Sequence, residues 1–282
     1  MAVKIITSIE DMQSVSRQWQ REGLNIGFVP TMGNLHAGHL QLVETASQQA
    51  DKVVVSIFVN PLQFGPSEDF AKYPRTLDAD VAKLDTLSVD VVFAPNEQRF
   101  YPNSPDKMTY VEVPGLSDIL CGASRPGHFR GVTTVVNKLF NIVQPDVAVF
   151  GTKDYQQFTL IRQMVDELAI PVRLIGLATV REQDGLAMSS RNQYLSAEQR
   201  TLAPALYKCL QSLREAILAG NKDVSNLLEE SKKQLMQLGF TVDYLELRDR
   251  QTLQKIEDAS GSQVLLTAVW LGDTRLIDNI EL

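Results

Sequence analysis

The sequence has 282 residues and a formal net charge of −7; 44% of its residues are hydrophobic and 22% are charged. This composition is that of a globular protein with enough chain for one large domain or two modest ones, and no apolar run approaches the roughly 20 residues that span a bilayer. The acidic balance, without any basic run, argues against a broad nucleic-acid face, although a few converging cations could still bind a small anion.

Residues 1–178 alternate strand-like and helix-like segments. The predicted strands are VKIIT, NIGFVP, KVVVSIFVN, VDVVFAP, DVAVFG and PVRLIGLA, and the predicted helices are SIEDMQSVSRQWQREG, HLQLVETASQQA, TLDADVAKLDTL, VTTVVNKLFNIV and YQQFTLIRQMVDEL. Ser8, with Asp11 three residues later, is the expected cap of the first helix. This alternation predicts an α/β domain: a doubly wound parallel sheet with helices on both faces.

The alternation of strand-like and helix-like segments ends after Ala178. A capping box, Ser196 to Gln199, opens a predicted long helix, SAEQRTLAPALYKCLQSLREAILAG, which is followed by a second helix, VSNLLEESKKQLMQLG. Three strand-like segments come last: FTVDYLELRD, QVLLTAVWLG and TRLIDNIEL. We therefore expect a smaller α+β domain over 179–282, joined to the domain at 1–178 through the polar segment TVREQDGLAMSSRNQYL.

Two of the three histidines, His36 and His39, lie between the second predicted strand and the second predicted helix. In open α/β sheets ligands bind at that edge, and the N–H groups and dipole of a helix start favour an anion. The dipole also favours a neutral imidazole, which can donate one hydrogen bond and accept a proton. No cysteine or third histidine is near enough in sequence for a zinc site. A simple polar cap remains the alternative to phosphate chemistry.

Two further stretches contain polar groups near predicted strand ends. Gln63 follows the strand KVVVSIFVN, which we expect to end at Asn60 because Pro61 cannot continue the pairing. Its neutral amide suits a substrate hydroxyl or carboxylate, although a loop glutamine in solvent is an equal alternative. The segment ASRPGHFRGV holds Arg125, His128 and Arg130 around a Pro-Gly turn, and these cations are phosphate candidates unless they belong to a charged surface loop.

Two more stretches complete the candidate set. In FGTKDYQQ, Lys153 and Asp154 follow the strand DVAVFG, and Gln157 lies one turn further on, where it could face the same pocket as Lys153. In LAMSSRN, two hydroxyls and the Arg191 guanidinium occupy a mobile linker that could close over a polyphosphate. Such groups on the strand ends of an acidic chain are typical of a pocket for a small polyanion.

The segments PTMGNLHAGH, SIFVNPLQF, YPRTLDAD, GASRPGHFRGV, FGTKDYQQ, MSSRNQYL and AVWLGDTRLIDN resemble, in order and over essentially the whole chain, the motifs of the pantoate–β-alanine ligase family. The His-x-Gly-His tetrapeptide alone is shared by a wider nucleotidyltransferase group. The resemblance implies a Rossmann-like first domain, and ATP-binding residues Met32, Gly33, Asn34, Leu35, His36, Ala37, Gly38, His39, Gly151, Thr152, Lys153, Asp154, Val180, Met188, Ser189, Ser190 and Arg191.

The resemblance also implies the reaction and the roles within it. ATP and (R)-pantoate would give pantoyl adenylate and pyrophosphate, and β-alanine would then give pantothenate and AMP. His39 would be the catalytic histidine, assisted by His36, Lys153 and Ser189–Arg191. Gln63 and Gln157 would bind pantoate, and Gln63 could also contact β-alanine. Mg²⁺ would accompany ATP, its protein ligands being unknown. The family implies a homodimer whose smaller domain acts as a lid.

Two departures and three alternatives stay open at this point. Ala37 stands where the family often has an acidic residue, and Thr152 where it often has glutamate; neither side chain is expected to take part in the chemistry. The alternatives are a nucleotidyltransferase that leaves AMP on its product, a truncated aminoacyl-tRNA synthetase relative, and a binding module that senses nucleotides. Asp78, Asp80 and Asp85 are available as magnesium ligands, but an acidic helix face is usually solvated surface.

The cysteine pattern and the first residues bear on location. Cys121 and Cys209 are far apart and lack metal-type spacing, which favours a reducing compartment. The start MAVKIITSIEDM has no secretory h-region or cleavage site. The sequence therefore predicts a cytoplasmic protein whose partners are small molecules, without nucleic acid or membrane.

Overall fold

The computed structural model describes residues 3–66, 68–221, 223–256 and 261–282. They form two compact units, the first comprising Met1–Thr152 and Leu160–Leu177 and the second Lys153–Thr159 and Ala178–Leu282. The short segment Lys153–Thr159, which the sequence pattern assigns to the domain at 1–178, thus groups with the second unit.

A six-stranded parallel sheet forms the centre of the first unit. Its strands are β1 (Lys4–Ile6), β2 (Ile26–Thr31), β3 (Lys52–Ile57), β4 (Val91–Phe93), β5 (Val147–Gly151) and β6 (Arg173–Leu177), in the spatial order β1-β4-β3-β2-β5-β6. From β2 the chain adds β3 and β4 on one side, and later β5 and β6 on the other. The winding therefore reverses between β2 and β5, and a crevice at the carboxyl ends of such strands is where open α/β sheets bind ligands.

Helices cover both faces of this sheet. The helices up to β6 are α1 (Ile9–Arg21), α2 (Ala37–Ser47), α3 (Leu77–Leu84), α4 (Glu97–Phe100), α5 (Cys121–Ser124), α6 (His128–Val143) and α7 (Tyr155–Glu167). On one face, α2 and α3 pack on alternate strand residues such as Val53 and Val55. On the other, Phe140 of α6 makes edge contacts with Phe28 and Phe150. The predicted fold class is confirmed.

Among the predicted boundaries of the first unit that differ from the structure, two lie next to candidate site residues. The third strand ends at Ile57 rather than Asn60, because Asn60 starts a short 3-10 turn (Pro61–Gln63) by accepting the Leu62 N–H at its side-chain oxygen, at 3.3 Å. The predicted helix from Val132 begins four residues earlier, at His128, after Gly127 in a left-handed conformation (φ 80°). Ser8 caps α1 as predicted, accepting the Asp11 N–H at 3.1 Å.

The second unit combines helices with an antiparallel sheet. It contains α8 (Ala197–Leu202), α9 (Ala205–Leu218), α10 (Val224–Gln237) and the sheet β7 (Thr241–Asp249), β8 (Gln263–Leu271) and β9 (Thr274–Glu281), in that order. The predicted single helix from Ser196 to Gly220 is wrong: it is interrupted at Pro204, which lacks an N–H and whose ring clashes with the preceding turn. The predicted capping box is present, since the Ser196 hydroxyl accepts the Gln199 N–H at 3.2 Å and Gln199 Oε1 accepts the Ser196 N–H at 2.9 Å. Across the described ranges, no helix has both the length and the apolarity to cross a bilayer.

Candidate active site

The two histidines cap the helix that follows β2. His36 is the N-cap of α2, and its Nδ1 accepts the Gly38 N–H at 3.2 Å. His39, three residues on, accepts the His36 N–H at its own Nδ1, at 3.3 Å. The ring centroids are 4.1 Å apart. The pair is thus a reciprocal capping box made of imidazoles, at the carboxyl edge of a strand that flanks the winding reversal.

This capping fixes the chemical form of both rings. A ring nitrogen that accepts an N–H carries no proton, so in the neutral imidazole the proton is on the other nitrogen, Nε2. His36 and His39 therefore have an N–H donor at Nε2 and already use Nδ1 as an acceptor. The Nδ1 atoms therefore act as polar caps of α2. Phosphate binding stays possible because it would use the other ring nitrogen, Nε2.

The loop before His36 is tied to α3 by Asp80. This carboxylate is fully buried and accepts the N–H groups of Asn34 and Leu35, both at 2.8 Å, as well as the Thr76 hydroxyl at 3.0 Å. The sequence pattern suggests a magnesium ligand or solvated surface for Asp80, and the structure gives it neither environment. The signal in the sequence is its place on the apolar face of α3, three residues after Leu77, where an unpaired carboxylate would be costly.

Gln63 is held by a buried asparagine that sequence reasoning missed. Asn60 is 1% exposed, and its Nδ2 donates to Gln63 Oε1 at 3.0 Å and to the Gly131 carbonyl at 3.1 Å. The Tyr101 hydroxyl donates to Asn60 Oδ1 at 3.0 Å. Burial raises the pKa of Tyr101, as do Tyr110 and Glu97, so the phenol keeps the proton that it donates. With its oxygen occupied, the Gln63 amide presents its N–H₂ group, which contacts Met32 Sδ at 3.0 Å.

The cations of ASRPGHFRGV have protein partners in this structure. The Arg125 guanidinium makes a two-pronged ion pair with Glu68, at 2.7 and 2.6 Å, and its Nη1 is 3.1 Å from His128 Nε2. His128 Nδ1 donates to the Gln63 carbonyl at 2.7 Å. Arg130 stacks over the Tyr110 ring at 4.5 Å. Arg125 and His128 both donate to the Gln63 carbonyl and so support the backbone of the turn that carries Gln63.

The candidate residues after β5 are divided between the two units: Gly151 and Thr152 belong to the first unit, and Lys153, Asp154 and Gln157 to the second. Gly151 is the last residue of β5, and the Thr152 hydroxyl donates to the Leu177 carbonyl at 3.1 Å, which ties β5 to β6. Lys153 lies in the following 3-10 turn, where its carbonyl accepts the Asn279 side chain at 2.9 Å. Asp154 is exposed and Gln157 is half-buried.

Within the second unit, Lys153 and Ser189 line one pocket. It is also lined by Asn192, Tyr207, Arg275 and Asp278. Ser189 caps a 3-10 turn, Ser190–Tyr194, by accepting the Arg191 N–H at 3.2 Å. Two of the predicted ATP residues are thus brought together, whereas Val180, Met188, Arg191 and Gln157 are not among the described residues that line this pocket.

The predicted linker 179–195 has internal anchors. Arg181 forms a two-pronged ion pair with the buried Asp278, at 2.7 and 2.9 Å, and stacks on the Tyr207 ring at 3.4 Å. The Met188 N–H donates to the Val180 carbonyl at 2.9 Å. Asn192 Nδ2 donates to the Ala187 carbonyl at 3.0 Å. These contacts give the Ser-Ser-Arg segment a defined base within its own unit.

Comparison with known proteins identifies the family. The model of the pantoate-beta-alanine ligase family matches residues 4–281. A pantothenate synthetase from Thermus thermophilus is 43% identical, with a TM-score of 0.91 and coverage of 99% of both chains. A pantoate-beta-alanine ligase from Francisella tularensis, solved with beta-gamma ATP and beta-alanine, is 37% identical, with a TM-score of 0.83 and coverage of 99% of this chain and 97% of that one.

These matches decide between the alternatives left open by the sequence. A nucleotidyltransferase, a synthetase fragment or a nucleotide sensor would not match this family along nearly the entire chain at 37–43% identity. The chain belongs to the pantoate–β-alanine ligase family.

Proposed function

We propose that this chain joins (R)-pantoate to β-alanine in two steps, with the imidazoles of His36 and His39 acting on the phosphates of ATP. The chain is an ATP-dependent ligase that gives pantothenate, AMP and pyrophosphate through an enzyme-bound pantoyl adenylate. The observation that carries the assignment of the histidines is their reciprocal capping, which fixes an N–H donor at Nε2 of each ring.

In the first step a carboxylate oxygen of pantoate bonds to the α-phosphorus of ATP, and the bond from that phosphorus to the bridging oxygen breaks, releasing pyrophosphate. An anion approaches an anion, so donors have to stabilise the charge that builds on the phosphoryl oxygens. The Nε2–H groups of His36 and His39 and the positive N-terminal end of the α2 dipole suit this role. His39 is the residue that we assign to the reacting phosphate.

In the second step the amine of β-alanine attacks the acyl carbon of the adenylate. The bond from that carbon to the phosphate oxygen breaks, AMP leaves with the bonding electrons, and the amine loses a proton as the amide forms. No nucleophilic serine or cysteine is needed. The acyl adenylate reacts readily with water, so water has to be excluded from it between the two steps.

The remaining predicted residues take binding roles in this proposal. Gln63 holds pantoate through its N–H₂ group, because Asn60 already occupies its oxygen, and Gln157 is the second pantoate contact. The loop Met32–Leu35 and the start of α2 contact ATP, as do Gly151–Asp154, Val180 and Met188. Lys153, Ser189, Ser190 and Arg191 bind its phosphates as cations and hydrogen-bond donors. Support for Lys153 and Ser189 comes from the pocket that they share.

Mg²⁺ is part of this proposal through ATP rather than through a protein cage. No group of three or more His, Cys, Asp or Glu among the described residues could hold a metal ion, and the Asp80 carboxylate already accepts three hydrogen bonds. Mg²⁺ typically keeps several waters and binds substrate phosphates. When bound, it would offset phosphate charge.

Two further properties extend the proposal. A homodimer follows from the family resemblance alone. A cytoplasmic location rests on the sequence, in which Cys121 and Cys209 are far apart and lack metal-type spacing, a pattern that is typical of a reducing compartment.

The test is the release of pyrophosphate and AMP from ATP by the purified chain. With ATP and pantoate we expect one equivalent of pyrophosphate per active site and no free AMP, because the adenylate stays bound. Addition of β-alanine should start continuous turnover and release AMP. For His39→Ala we expect a loss of turnover on the order of 10²–10³, by comparison with the loss of one oxyanion donor.

Gln41→Ala is the matched control, since Gln41 is exposed on the same helix. It should keep wild-type turnover, and circular dichroism should show both variants folded. Pyrophosphate release without pantoate, or near wild-type turnover in His39→Ala, would refute the proposal.

A further inference from the structure

A fully buried carboxylate lies beneath the histidine loop. Asp80 is 0% exposed on the face of α3 that also carries Leu77, Val81 and Leu84, which pack against the core of the first unit. A carboxylate in such surroundings persists only when hydrogen bonds replace the water it has lost. The hydrogen-bond donors of Asp80 therefore show which part of the structure this carboxylate stabilises.

Two of those partners are consecutive backbone groups of the loop. The N–H groups of Asn34 and Leu35 donate to the two oxygens of Asp80, each at 2.8 Å. They lie in a turn in which Gly33 and Asn34 both have positive φ, 83° and 51°. Such turns form concavities that bind anions. Here the anion is a side chain of the protein itself, 45 residues further along the chain.

The same helix holds the loop from its carbonyl side. Lys83 Nζ donates to the Leu35 carbonyl at 2.6 Å and lies 3.9 Å from Asp80 Oδ1. Both the N–H and the C=O of Leu35 are therefore bound by α3. Leu35 immediately precedes His36, whose ring begins the reciprocal capping box of α2. The orientation of both imidazoles depends on where this clamp places the loop.

We propose that Asp80 is a positioning residue, whose carboxylate holds the loop Met32–Leu35 so that His36 and His39 meet the phosphates of ATP. The inference rests on the proposed role of these histidines in ATP chemistry. Asp80 acts through the backbone and does not touch the substrate. This inference assigns the Asp80 carboxylate a structural role instead of the role of a magnesium ligand.

The test compares Asp80→Asn with Asp78→Asn. Asp78 is exposed on the same helix, so its variant removes the same charge without touching the loop. In Asp80→Asn an amide N–H₂ replaces one acceptor and faces a backbone donor. We expect kcat/KM for ATP to fall on the order of 10²-fold, as for a displacement of catalytic groups by about 1 Å, while KM for pantoate stays within about twofold of wild type.

A second readout does not depend on activity. The chain has three histidines, so ¹⁵N spectra of the imidazoles contain three sets of signals. Asp80→Asn should shift the signals of His36 and His39 and leave those of His128, which hydrogen-bonds to Gln63 and Arg125 instead. A general loss of structure would move all three, and Asp78→Asn should move none.

The outcomes separate this inference from the proposed function. If Asp80→Asn is folded and its His36 and His39 signals do not shift, the inference is overturned, whatever the turnover of the variant. Moved signals with wild-type kcat/KM for ATP would keep the clamp and refute the role of the histidines. If Asp80→Asn does not fold, Lys83→Met decides, because Lys83 is 44% exposed: a shift of the same two signals supports the inference, and its absence overturns it.

Discussion

Gly131, the fourth residue of α6, faces the turn that carries Gln63 and leaves no room for a side chain. A Cβ atom built at this glycine would lie 2.3 Å from the Leu62 carbonyl oxygen, 2.5 Å from the Leu62 carbonyl carbon and 2.8 Å from the Gln63 nitrogen. All three are backbone atoms, so no side chain can rotate away. Gly131→Ala must therefore move the helix and the turn apart.

The size of this movement follows from the same distances. Real Cβ atoms stay at least 3.0 Å from such atoms, so the Leu62 carbonyl has to move by about 0.7 Å in a close-packed interior. Overpacking of this kind costs about 1–3 kcal/mol of stability. The turn carries Gln63, and a misplacement of about 1 Å in a site can cost about 10²-fold in rate. Because the movement here is smaller, we expect the use of pantoate to fall about tenfold or more, with a smaller effect on ATP.

The assay is the release of pyrophosphate over a range of pantoate concentrations at saturating ATP, together with urea unfolding. Gly65→Ala is the matched control, because its Cβ would meet Glu68 Cγ at an ordinary 3.7 Å. Gln63→Ala should reproduce the pantoate defect of Gly131→Ala without its loss of stability. Wild-type pantoate kinetics and stability in Gly131→Ala would refute the close packing of α6 on this turn.

Two other pairs give predictions of a different kind. Burial raises the pKa of Glu68, but the hydrogen bonds and charge of Arg125 outweigh it and bring that pKa below its usual 4.5; the stability that Glu68 contributes is therefore present above about pH 4.5 and lost as the pH falls below it. Urea unfolding between pH 6 and pH 3.5 should show a smaller loss in Glu68→Gln than in wild type, and equal losses would contradict the assignment. Arg181→Met leaves the buried Asp278 without its ion pair, which should cost about 3 kcal/mol. The control Arg250→Met breaks a pair that is 44% and 39% exposed and should cost about 1 kcal/mol or less, so equal losses in the two variants would refute the importance of burial.

The features that depend on local pattern are predictable from the sequence. Alternating strands and helices indicate the parallel sheet, and serine caps such as Ser8 and Ser196 mark helix starts where the structure has them. The break at Pro204 is also readable, because proline removes a backbone donor inside a helix. The prediction of one long helix is wrong there because the apolar pattern continues on both sides of Pro204.

Features that depend on contacts between distant residues are not readable in this way. The sequence pattern suggests solvated surface or a metal ligand for Asp80, since its partners Asn34 and Leu35 belong to another loop. The sequence makes Arg125 a phosphate candidate because its ion-pair partner, Glu68, lies 57 residues away and is not predictable from neighbouring residues. The position of an acid on the apolar face of α3 predicts that Asp80 is buried and needs a hydrogen-bond donor. It does not identify the residue that provides the donor.

The imidazole capping box has a consequence for the fate of protons. Each ring has only two nitrogens; Nδ1 already serves the backbone, and Nε2 carries the ring's own hydrogen. An extra proton can therefore enter only by displacing a hydrogen bond that begins α2. Protonation of either ring would therefore remove one hydrogen bond from the start of α2, so the proton balance of these two histidines and the first turn of this helix are linked.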